Sequence, residues 1–355
     1  MTNSTPKVDV HAHFVPPCWR DALVAHGLEH PDGMPAIPDW DLERHIQLMD
    51  VMGIQKSFLS ITSPGVHLVA GNDELARKLA RDCNNFAHEV KKTMPQRIGS
   101  FVSLPLPDLQ GSIQELDYAC DNLKADGVVL QTNYHGRYLG DAYFQPIFEE
   151  LDRRNVVVFI HPTSPCSHHT SHHSTCDKTA AVPLPQYPAP VFEFMFDTCR
   201  CIIHLLLSGT ITRYPNIRYI VPHAGGALPP LIQRFSEAAA LIPGLSLSDH
   251  PAVTPAGVRA TLNERFWFDT AGPTFPDQIR SLLQYVRPDR ICYGTDYPFT
   301  PAQGVQYLGR VMEESLADLM DDPTDWEGVY SRNAMRLLGK PGSEEAELGE
   351  DKDSP

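Results

Sequence analysis

Residues 156–161 read VVVFIH, and the fold is decided by how often a segment of that kind recurs. A run that is apolar at every position, rather than at alternate ones, marks a strand covered on both faces, as in a parallel sheet. GVVLQTN at 127–133 and IRYIVPH at 217–223 repeat the pattern. Working outward from these, β-rich segments stand at residues 8–13, 56–60, 98–105, 127–133, 156–161, 218–223, 266–269 and 291–294. The stretches between them, such as 73–92, 109–124, 144–154 and 276–286, carry helical spacing with polar faces. Strand and helix alternating eight times predict an α/β fold, a (β/α)8 TIM barrel, over residues 1–340 as one domain. The acidic residues 341–355 lack apolar content and are expected to be a disordered tail.

A chain of 355 residues, 42% hydrophobic and 21% charged, is long enough for one large barrel and too apolar to be disordered over most of its length. The net charge is −15; six acids against Lys352 in 344–353 contribute −5, which leaves −10 for the rest. So acidic a body repels phosphate backbones and anionic headgroups, and neither nucleic acid nor a membrane is an expected partner. No apolar run approaches the ~20 residues of a membrane helix, and the first residues lack a basic stretch followed by an apolar core. A cytoplasmic location, mostly reduced cysteines and a small-molecule partner are the expectations.

The ends of the expected strands hold a non-random set of side chains: His11 and His13 on the first, His161 on the fifth, His223 on the sixth, and Asp296 just after the eighth. Barrels keep their catalytic groups at these positions. Residues two apart on a strand point to the same side, so His11 and His13 can share one ion while Ala12 faces outward. Imidazoles with a carboxylate suit zinc, manganese, iron or related divalent ions. Any one of these histidines alone could be a strand cap; all of them at strand ends make a site. Residues 162–190, rich in Ser, Thr, His and Pro, follow the fifth strand as a long loop over the same face, either a substrate lid or a plain insertion. Within it Cys166, His168, His169, His172, His173 and Cys176 match no structural-zinc spacing and are read as incidental. Gly225 and Gly226 after His223 are read as a tight turn that lets backbones approach closely.

The motifs VDVHAHFVPP (8–17), HPTSP (161–165), the stretch from Phe196 to Arg234 and YGTDYPF (293–299) resemble the decarboxylase branch of the amidohydrolase superfamily over about residues 7–338. That branch includes aminocarboxymuconate semialdehyde decarboxylase and decarboxylases of hydroxybenzoates. The H-x-H form with this N-terminal style is most similar to the fungal 6-methylsalicylate decarboxylases. The resemblance implies that His11, His13, His161 and Asp296 hold one divalent metal, zinc or alternatively manganese, with His223 beside it. Binuclear relatives place a lysine at the end of the fourth strand; GVVLQTN has none, which implies a mononuclear site. The family's substrate-carboxylate arginine, eleven residues after the sixth-strand histidine, matches Arg234 and in the family can act across a dimer interface, so a homodimer or higher homo-oligomer is implied. A second family arginine, after the first strand, has no clean counterpart, because Arg44 and His45 compete for its place.

The implied reaction is non-oxidative decarboxylation of a small aromatic carboxylate, 6-methylsalicylate to 3-methylphenol and carbon dioxide, in secondary metabolism. Protonation of the ring carbon that bears the carboxylate gives the electrons of the breaking bond somewhere to go. Asp296 is the expected acid and His223 its helper. Phe192, Phe194, Tyr187 and Phe299 are expected to press on the ring, unless they are ordinary apolar loop anchors. The alternatives are aminocarboxymuconate semialdehyde decarboxylase activity, or hydrolysis of a lactone or amide by a metal-activated water.

Overall fold

The computed structural model describes residues 5–166, 182–241 and 253–339. Eight parallel strands follow one another in chain order: β1 (Lys7–His13), β2 (Ile54–Ser60), β3 (Ile98–Ser103), β4 (Gly127–Gln131), β5 (Val157–His161), β6 (Arg218–Val221), β7 (Phe266–Asp269) and β8 (Ile291–Cys292). The ring is closed between β8 and β1 by backbone bonds: Val10 N–H donates to Tyr293 O at 3.0 Å and His13 N–H to Tyr297 O at 2.7 Å. Helices follow the strands, so the fold is the (β/α)8 barrel. A short hairpin, Asn133–Tyr134 with Arg137–Tyr138, is added after β4.

Two apolar layers hold it together. Inside the barrel Val8, Val10, Phe58, Phe101, Val129, Val157, Phe159, Ile220, Trp267 and Cys292 fill the axis, as a small barrel must if it is not to leave voids. Between barrel and helices lies the larger cluster that includes Ala12, Phe14, Trp19, Ile160 and Leu205. The helices supply it with one face each. Helix Asp73–Thr93 buries Ala76, Leu79, Ala80, Cys83 and Ala87, an i, i+3, i+4, i+7 stripe, and is capped by the Asn72 side chain accepting from Leu75 N–H.

Several strands stop sooner than expected, and the reasons are local. The sixth ends at Val221, because Pro222 has no N–H for the ladder. The eighth ends at Cys292; beyond it the backbone turns to hydrogen-bond across to His11. The long helix expected at 109–124 is helical to Tyr118 and widens into a π turn over Ala119–Leu123. Among the described residues no helix is long and apolar enough to cross a membrane. The acidic tail 341–355, most of the loop from 162 to 190 and most of its His/Cys cluster lie outside the described residues; Cys166 is described, and is disulfide-bonded rather than a free thiol.

Candidate metal centre and active site

Val8 and Val10 point into the barrel, so strict alternation would send Ala12 inward and both histidines outward. The pairing of β1 with β2 shifts register between Asp9 and Ala12, a bulge that changes parity. His11 and His13 therefore turn inward, fully buried, while Ala12 joins the outer cluster. No such shift is needed on β5, where Val157, Phe159 and His161 share one parity. His223 and Asp296 sit just past their strands on left-handed backbone, φ 52° and 59°. Asp296 is pinned there: its N–H and that of Thr295 both donate to His11 O, at 2.7 and 3.1 Å.

The ring nitrogens converge. His11 Nε2 and His13 Nε2 are 3.1 Å apart, and Asp296 Oδ1 lies 3.6 and 3.2 Å from them. The ligand atoms of His11, His13 and His161 all fall within 4.8 Å of one another, as do those of His11, His223 and Asp296. The two groups share His11 and so describe one centre.

The tautomers follow from the partners on the other side of each ring. His13 Nδ1 faces Ser60 O at 3.1 Å, His161 Nδ1 faces Pro162 O at 2.7 Å and His223 Nδ1 faces Ala271 O at 3.0 Å. Carbonyl oxygens only accept, so each Nδ1 carries the hydrogen. His11 Nδ1 donates in the same way to Asp269 Oδ2 at 2.9 Å. With each Nδ1 turned to its partner, the Nε2 atoms face the centre, and those of His11 and His13 lie 3.1 Å apart. That arrangement suits a cation bound by Nε2 atoms whose Nδ1–H groups are held from behind.

Charge points the same way. Burial, with the neighbouring histidines, lowers the affinity of His13, His161 and His223 for a proton, leaving neutral ligands. Burial alone would raise the Asp296 carboxyl, but the surrounding His13, His11 and His223 outweigh it and hold it well below the usual carboxylate range. Asp269 is lowered too, because His11 overcomes its burial. His11 is pushed up: burial works against its charged form, but the charge and hydrogen bond of Asp269, with Asp296 and Asp9, together outweigh it. The buried Asp269 and the partly exposed Asp296 put two carboxylates beside a cluster in which only His11 is held toward its charged form, and a divalent cation at the ring nitrogens balances them. The donor set fits such an ion.

Above this centre opens a cavity of about 560 Å³, with His161, His223 and Asp296 at its base and Met34, Phe194 and Phe299 among its walls. The volume is in the range of small-molecule sites. Of the other expected contacts, Phe192 is half-buried and outside the wall; it caps helix Glu193–Leu207, and Phe194, two residues on, points to the cavity instead. Tyr187 is exposed. Arg44 lies on the outer face of helix Leu42–Met52 and pairs with Asp41 at 3.2 Å, whereas His45 is buried against Ser57 and Trp40. Arg234 is exposed on helix Ile232–Leu241. Neither arginine reaches this chain's own cavity.

Asp269 was not singled out in the sequence. Its Oδ1 also accepts from His223 N–H at 2.9 Å, so one buried carboxylate orients both His11 and the turn that carries His223. The signal was present: Asp269 ends β7 with the same parity as inward-facing Trp267. Asp9 was missed as well; it accepts from Thr295 Oγ1 at 2.7 Å and from His11 N–H at 3.0 Å, tying the segment after β8 to β1. Thr62, whose Oγ1 is 3.3 Å from His161 Nε2, could not be placed without the fold.

Known proteins give this geometry a context. A family model described as amidohydrolase matches residues 8–340. The chain is 35% identical over 335 residues to the 6-methylsalicylic acid decarboxylase of Aspergillus aculeatus, covering 94% of this chain and 96% of that protein. It is 36% identical to the 6-methylsalicylic acid decarboxylase of Penicillium expansum, over 86% of this chain and 89% of that one. Among solved structures, the dihydroxybenzoic acid decarboxylase of Polaromonas sp. JS666, with bound manganese and the inhibitor 2-nitroresorcinol, has a TM-score of 0.76 at 21% identity, over 94% of this chain and 97% of that one.

Proposed function

Because the chain belongs to the amidohydrolase family, we propose that it is a metal-dependent, non-oxidative decarboxylase, a carboxy-lyase acting on a small hydroxybenzoate, with 6-methylsalicylate as its substrate and 3-methylphenol and carbon dioxide as products. The observation that carries the reading is the convergence of His11, His13, His161 and Asp296 at the base of an apolar-walled cavity, in a chain most of whose length is matched by 6-methylsalicylic acid decarboxylases.

A divalent ion held by those four residues supplies Lewis-acid charge for a phenolate and carboxylate on adjacent ring carbons. The imidazole-rich donor set favours zinc on affinity, with manganese, present in the Polaromonas enzyme, as the alternative. Asp269 and Ser60 fix the rings of His11 and His13. Phe194 and Phe299 cover the aromatic ring and exclude water. Asp296 is an anion as it stands, so it first takes a proton from the bound substrate or solvent, then delivers it to the ring carbon bearing the carboxylate. The C–C electron pair returns to the ring as carbon dioxide leaves. His223, steered by Ala271 O and Asp269, hydrogen-bonds the acid or the substrate.

Arg234, exposed on its own chain, is proposed to bind the substrate carboxylate in the cavity of a second copy, which makes the working enzyme a homodimer or higher oligomer. The test is carbon dioxide release from 6-methylsalicylate before chelator treatment, after it, and after return of zinc or manganese. Release that follows metal content supports the reading. Hydrolysis of a lactone or amide with no release from any hydroxybenzoate overturns it.

A further inference from the structure

The cavity wall is uneven in charge. Among the described residues that line it there is no lysine or arginine, and the one carboxylate besides Asp296 belongs to Asp32. Asp32 sits in the short turn Pro31–Gly33 at φ 54°, a left-handed conformation that aspartate tolerates better than most residues. Its placement is enforced from two sides. Ser164 Oγ, three residues beyond His161, donates to Asp32 Oδ1 at 2.5 Å. On the other flank Gly33 packs so closely that an added Cβ would lie 3.3 Å from Pro188 Cα, next to the segment whose Pro190 and Val191 also line the cavity.

We propose that Asp32 is a specificity-determining residue that filters substrates by charge, admitting rings with one carboxylate and rejecting those with a second. The inference rests on the decarboxylase reading and names the substrate class of that same site. One carboxylate has a place at the metal centre, and Arg234 of a second copy would add one cation for it. A second carboxylate on the ring would leave water for a wall whose described residues offer no cation and already include a carboxylate, so it would stay unpaired among them. A hydroxyl or methyl group at the same ring position carries no such penalty, and a hydroxyl can donate to the Asp32 carboxylate.

The experiment is calorimetric titration of the metal-loaded protein with salicylate and with 5-carboxysalicylate, for wild type, Asp32→Asn and Asp32→Ser, with carbon dioxide release from 6-methylsalicylate measured on the same samples. Wild type should bind 5-carboxysalicylate at least tenfold more weakly than salicylate, and both variants should narrow that ratio at least fivefold. Equal affinities in wild type, or a ratio unchanged in both variants, overturns the filter. Discrimination in a protein that releases no carbon dioxide keeps the filter and removes the decarboxylase reading; release without discrimination does the reverse. Failure of both ligands to bind overturns the filter.

Discussion

Asp269 stands 258 positions from His11 in the chain, yet its carboxylate is 2.9 Å from the imidazole it orients. Replacing it with asparagine removes the charge while keeping the shape. Asp269→Asn should weaken metal binding about 10- to 100-fold, the usual cost of losing a group behind a ligand, measured by competition with a chelating dye. His11→Ala or His161→Ala should lose most of the metal outright, and full retention in a His11→Ala, His13→Ala double variant would contradict the site. The histidines were legible because VDVHAHF, FIHP and VPHAGG each end a β-rich run. Asp269 was legible in principle from strand parity. The choice of Phe194 over Phe192 was not, because it depends on where helix Glu193–Leu207 begins.

At the scale of elements, the strands could be counted from sequence because parallel strands are apolar on both faces, but the bulge in β1 that turns His11 and His13 inward leaves no mark in composition. The Gly225–Gly226 turn was readable. Gly226 has φ 58°, and an added Cβ would lie 2.6 Å from Met195 O, in the helix that carries Phe194. Gly226→Ala should cost about 1–3 kcal/mol from the backbone conformation alone, seen as a lower Tm, and should raise KM by displacing that helix. A second element-scale outcome concerns helix Leu42–Met52. Burial lowers the pKa of its His45 to about 4. The unfolded chain takes up this proton near pH 6.5 and the folded one does not, so stability falls as pH drops from about 6.5 to 4, by roughly 3 kcal/mol. Denaturant midpoints at pH 7.5 and 4.5 should converge in His45→Gln relative to wild type; an identical pH dependence would show that His45 is not responsible.

For the whole molecule, the question is what completes a cavity whose own wall lacks a cation among the described residues. Arg234→Ala mixed with Asp296→Asn should regain part of wild-type activity, since shared sites would rebuild some complete pockets. No rescue after verified subunit exchange would remove the shared-site arrangement. An assembly of this kind leaves almost no trace in one sequence, because an exposed arginine at position 234 reads the same whether it meets water or a second copy. The central claim is the chemical step, and it is tested most directly by turning over 6-methylsalicylate in deuterated water. One deuterium should appear in 3-methylphenol at the carbon that lost its carboxylate, with carbon dioxide released in equal amount and both lost in Asp296→Asn. No release from a metal-loaded enzyme, or full release with Asp296→Asn, would contradict it.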